Sequence, residues 1–120
     1  MLNSFGKRIA PHVLHEVALA KIAQDSGQWM RAFTHLERAH VLGQSSTKWH
    51  VYAHGLMLIW SVHRHDWREL AGQLFRMVGA ALTTAVGLIP SGNTGGANVS
   101  PFQPMPIAKD LARLIAEARQ

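Results

Sequence analysis

The placement of proline constrains this chain more than any other feature. Of its five prolines, Pro11 stands alone before Pro90, and Pro101, Pro104 and Pro106 follow close behind. Proline removes a backbone donor and clashes with the preceding turn, so helix interiors avoid it. The long interval from His12 to Ile89 is therefore free to be helical, and the segment from Pro90 to Pro106 is not. Turn-forming residues divide that interval at Asp25-Ser26-Gly27, at Gly43 with Ser45-Ser46-Thr47, and at Asp66.

Apolar residues recurring at helical spacing fill the pieces. A first helix is expected from about Pro11, which suits a first helical position, to Gln24. Its stripe is Val13, Val17 and Ala20, widened by Leu14, Ala18 and Ile22. A second runs from Gln28 to Leu42 on Trp29, Phe33, Leu36 and His40, and a third from Thr47 to His63 on Val51, Leu58 and Val62. A fourth starts after Asp66, where Asp66-Trp67-Arg68-Glu69 reads as a capping box, and continues to about Gly87. A short fifth, from Ile107 to Ala118, buries Leu111, Leu114, Ile115 and Ala118. The chain thus reads as one all-α domain over 1–120. It has antiparallel helical hairpins over 11–44 and 47–88, an extended Pro/Gly-rich loop over 89–106, and a C-terminal capping helix over 107–119.

The two hairpins resemble each other. A shift of 38 residues superposes His12-Val13 on His50-Val51, Trp29 on Trp67, Leu36 on Leu74 and Arg38 on Arg76. That period falls in the range of helical-hairpin repeats, and a duplication similar to tetratricopeptide repeats is one reading. Chance likeness between two amphipathic hairpins is the other.

Composition excludes several functions. The chain has no cysteine, so thiolate catalysis, disulfides and cysteine-ligated metals are ruled out. No nucleophile-elbow motif is present. Twelve Lys and Arg against seven Asp and Glu give a net charge of +5, but the positive residues are scattered, which argues against a nucleic-acid interface. The most apolar run, Met77 to Ile89, is shorter than the roughly 20 residues a membrane span needs. No signal-peptide pattern opens the chain, so a cytoplasmic protein is expected.

Chemistry points to histidine, of which there are eight. On the second helix Glu37 and His40 are three apart and share a face, the Glu-x-x-His spacing of carboxylate-rich metal sites in bundles. On the third, His50 and His54 are four apart and can chelate one ion. The His-Glu-x-x-His protease motif is absent. The fourth helix offers Glu69, Gln73 and Arg76 on one face, and the first His12, His15 and Glu16. The metal-ligand candidates are Glu37, His40, His50, His54 and Glu69. His15, Gln44, Gln73 and Arg76 are candidates to ligate or orient them. His35, His63 and His65 read as solvated. Imidazole and carboxylate donors suit a transition ion such as zinc or iron.

The Pro90–Pro106 segment carries Val99, Phe102 and Met105 at three-residue intervals, which suits an extended strap across the helices. Within it, Gly92-Asn93-Thr94-Gly95-Gly96 presents Asn93 and Thr94 as further polar candidates, beside the plainer reading as a glycine turn.

The run Leu36-Glu37-Arg38-Ala39-His40-Val41-Leu42-Gly43-Gln44, the pair His50 and His54, and Gly92-Asn93-Thr94-Gly95-Gly96 together resemble a family of small bacterial proteins known as a domain of unknown function (DUF3703). The likeness covers most of the chain and implies a bacterial cytoplasmic protein without implying a mechanism. Two functional expectations stand. One is a helical protein with a His/Glu site for a transition metal or small ligand between its helices, with redox or hydrolytic chemistry open to it. The other is a metal-free helical-repeat module that binds a protein partner or a second copy of itself.

Overall fold

A computed structural model describes residues 4–86 and 104–120, with residues 80–86 described by their backbone alone. Among the described residues there are five helices and no strand: α1 (Ser4–Asp25), α2 (Trp29–Gly43), α3 (Thr47–Arg64), α4 (Trp67–Val86) and α5 (Lys109–Ala118). The fold is all-α. Helix α1 packs on α2, α3 on α4, and α2 on α3, while α5 lies against α1 and α2.

Helix α1 departs from expectation at its start. It begins at Ser4 and carries Pro11 in its interior. Pro11 is exposed, so the backbone bond it removes faces water. The turns on either side are held from elsewhere. Ile9 and Val13 are fully buried, the Arg8 Nε donates to the Ala118 carbonyl at 2.6 Å, and the Trp49 indole donates to the Gly6 carbonyl at 2.9 Å. Tertiary packing thus outweighs a penalty of about 3 kcal/mol for an interior proline. Burial on α1 is narrower than expected: Ala20 and Ala23 are buried, while Leu14 and Ile22 face solvent.

Two apolar clusters make the core. One joins Ile9, Val13, Ala39, Leu42 and Trp49 to Leu111, Ile115 and Ala118 of α5. The other joins Ala20, Ala23, Ala32, Phe33 and Leu36 to Met57 and Trp60, with the Phe33 and Trp60 rings 4.6 Å apart. An ion network centred on the buried Glu16 staples the first hairpin to α5. His35 Nδ1 at 2.8 Å and Arg38 Nε at 3.0 Å both donate to Glu16 Oε1, and Arg38 also pairs with Asp110. That hydrogen bond from Arg38 is the main reason the Asp110 carboxyl is held below its ordinary value. His35 is therefore half-buried and engaged rather than solvated, because Glu16, 5% exposed, needs donors where water is excluded.

The buried face of α3 is not the stripe of Val51, Leu58 and Val62. Trp49, His50, Ala53, His54, Met57, Trp60 and Ser61 point inward, and Val62 is exposed. Helix α4 goes further. Glu69, Gln73 and Arg76 are buried, whereas Leu74, Phe75 and Val78 are 51%, 73% and 67% exposed. The 38-residue likeness consequently does not extend to packing: Leu36 is buried and its counterpart Leu74 is not, and Trp29 is half-buried while Trp67 is exposed.

The connections fix where these faces meet. Gly27 adopts a φ of 75° at the α1–α2 turn, a conformation natural to glycine. Gly43 ends α2 against the start of α3, and a Cβ there would lie 2.6 Å from the Trp49 Cβ. Gly43→Ala is expected to lose about 1–3 kcal/mol through this overpacking. Urea denaturation measures it, and an unchanged midpoint would contradict so close an approach.

Candidate metal centre

The α2–α3 turn brings its flanks together. Ser46 N–H donates to the Gly43 carbonyl at 2.9 Å and His50 N–H to the Ser46 carbonyl at 2.8 Å. His40 in the last turn of α2 and His50 in the first turn of α3 are thereby set against each other edge to face, with ring centroids 4.7 Å apart. His54, one turn on, stands 4.6 Å from His40 and 5.0 Å from His50 by the same measure. The three rings are 1%, 5% and 3% exposed. Each presents a nitrogen within 4.8 Å of the other two, and no carboxylate joins this group among the described residues.

Helix α4 orients His54. The His54 Nδ1 lies 2.5 Å from Gln73 Oε1, and Gln73 Nε2 donates to Glu69 Oε2 at 2.5 Å. An amide oxygen only accepts, so His54 carries its proton on Nδ1 and turns the Nε2 lone pair toward His40. The His40 Nε2 is 3.1 Å from that Nε2 and donates to it. Glu69 is itself anchored where its backbone N–H donates to the Asp66 side chain at 3.0 Å, so the expected cap is present and the carboxylate above it is turned to Gln73. Gln73 is fully buried, and Arg76, three residues on along the same face, is 8% exposed.

Burial dominates the electrostatics. It lowers the His50 pKa to about 3, with His54 adding to the effect. It lowers that of His54 to about 4 against the opposing Gln73 hydrogen bond, with the Arg76 charge assisting. Burial also pushes the Arg76 guanidinium down while Glu69 holds it up. His50 and His54 are therefore neutral imidazoles with usable lone pairs, the form in which histidine binds metal.

Of the residues singled out by spacing, His40, His50 and His54 converge, and Gln73 and Glu69 stand behind His54. Gln44 is buried at the end of α2, and Glu37 is half-buried one turn before His40. His15 is exposed on α1 and does not join the group, because that helix buries Val13 and Glu16 instead. Asn93 and Thr94 lie outside the described residues. Ser61, fully buried with its hydroxyl donating to the Met57 carbonyl at 2.8 Å, extends the inward row of α3. Its place seven residues after His54 was the only signal for it.

The family model for proteins of unknown function (DUF3703) matches residues 7–115, and the chain belongs to that family. No curated protein and no solved structure matches it.

The lowered histidine values carry a stability signature. Unfolded histidine titrates near 6.5, so below that pH the unfolded state takes up protons that folded His50 and His54 refuse. Stability is full above pH 6.5 and falls toward pH 4, by at most about 1.4 kcal/mol per pH unit for each group. Urea midpoints across this window should decline, and His50→Gln with His54→Gln should flatten the decline. Equal slopes in both proteins would contradict the buried neutral pair.

Proposed function

We propose that this protein binds a transition-metal ion through His40, His50 and His54. One observation carries the reading: three buried imidazoles offer nitrogens within 4.8 Å of one another. A tetrahedral ion with metal–nitrogen bonds of about 2.0–2.1 Å holds its ligand atoms about 3.3–3.4 Å apart. The His40–His54 pair, at 3.1 Å, is near that spacing, and His50 needs a shift of under about 1.5 Å. Binding would require the His40 proton to sit on Nδ1 instead of Nε2, so that the facing Nε2 atoms of His40 and His54 both offer lone pairs and both rings stay neutral.

The hydrogen bond from His54 through Gln73 to Glu69 is the kind of support that fixes the tautomer and raises the basicity of a ligating imidazole. Glu37 and Glu69 act as charge-balancing groups around the ion, and Gln44 and Arg76 close the shell. Zinc or ferrous iron suits neutral nitrogen donors. Three protein ligands leave a position for an exogenous ligand, the arrangement that metal-activated water requires.

A metal-free interaction module or homodimer is favoured by a different observation, the exposed Leu74, Phe75 and Val78 on α4. Metal stoichiometry separates the readings. Elemental analysis of untagged protein should find one zinc or iron ion per chain, and none in a His40→Ala, His54→Ala variant that keeps its helical circular dichroism. Equal, sub-stoichiometric metal in both would leave the interaction module as the better account.

A further inference from the structure

We propose that the open position of this metal is an anion site, taking a small monoanion of a few atoms that is held between the ion and Arg76. The inference rests on the metal reading above and deepens it. All three proposed ligands are neutral, so a divalent ion keeps its whole charge. Arg76 brings another positive charge to the same region. It follows Gln73 by three residues on the inward face of α4, Gln73 hydrogen-bonds His54, and Arg76 is buried. An arginine stays charged in a protein. Carboxylates stand in the same region, Glu69 behind Gln73 and Glu37 one turn before His40, but none of them joins the three histidines. The ion and Arg76, whose charge bears on His54, would bring positive charge together in a region of low dielectric, where burying it is costly. A monoanion on the metal offsets that charge, and a guanidinium beside it supplies charge-assisted hydrogen bonds.

Size follows from burial. His40, His54 and Gln73 are 1%, 3% and 0% exposed. A ligand enclosed by protein in this way is small, which favours hydroxide or a two- or three-atom anion over a large acid. Arg76 would be a positioning residue for that ligand.

Cobalt(II) serves as the probe metal, because its visible absorption reports coordination and ligand exchange. The cobalt-loaded full-length protein is titrated with azide. Wild type should show a saturable spectral change. Arg76→Gln should weaken azide binding by about tenfold or more, and Glu69→Gln, which keeps an acceptor for Gln73 while removing a negative charge, should tighten it several-fold. The opposite signs keep the test decisive even if Arg76→Gln fails to fold. A cobalt spectrum indifferent to azide, or azide affinity unmoved by Glu69→Gln, overturns the anion site and leaves the metal site standing. Absence of any bound-cobalt spectrum overturns both.

Discussion

The hydrogen-bonded line from His40 through His54 and Gln73 to Glu69 is the contact on which the arrangement of three helices depends. It crosses from α2 to α3 to α4 in side chains that are at most 9% exposed. Apolar packing alone is tolerant of register, because it is non-directional. A buried polar line is not, since each member left without its partner is costly. The line selects one rotation of α4 about its axis, the one that turns Glu69, Gln73 and Arg76 inward and leaves Leu74, Phe75 and Val78 outside. Helix α3 is set the same way, with His50 and His54 inward and Val62 outward.

The division of labour along the chain follows from this. The first hairpin and α5 form a conventional core, with the ion pairs of Glu16, Arg38 and Asp110 closing one side. Alanines at the α1–α2 contact let the helices approach beneath Phe33 and Leu36. Among the described residues, the second hairpin adds Trp49, Met57 and Trp60 to the apolar clusters and, from α4, the buried polar Glu69, Gln73 and Arg76, groups that packing alone would not choose.

Much of this was legible in the sequence. Proline and glycine punctuation located all five helices, and Glu-x-x-His followed by His-x-x-x-His marked the faces of α2 and α3 that meet. Gln73 was visible as the middle of a polar row on α4. Two things escaped. Which face of α4 is buried was not legible, because burial is decided by what a helix packs against and no pattern within α4 reveals that His54 awaits it. The start of α1 is expected at Pro11, because proline suits a first helical position, whereas Trp49 and Ala118 bind the turns around it from far along the chain. The ion network of Glu16 with His35 and Arg38 was hidden for the same reason, being made across two helices.

The central claim is that the three buried imidazoles act together on one ion. X-ray absorption at the metal edge of the loaded protein tests it most directly. The account predicts a first shell of light donors at about 2.0–2.1 Å with outer-shell scattering from three imidazole rings, reduced to two in a His50→Ala variant. A metal edge showing oxygen donors without ring scattering, unchanged in that variant, would contradict it.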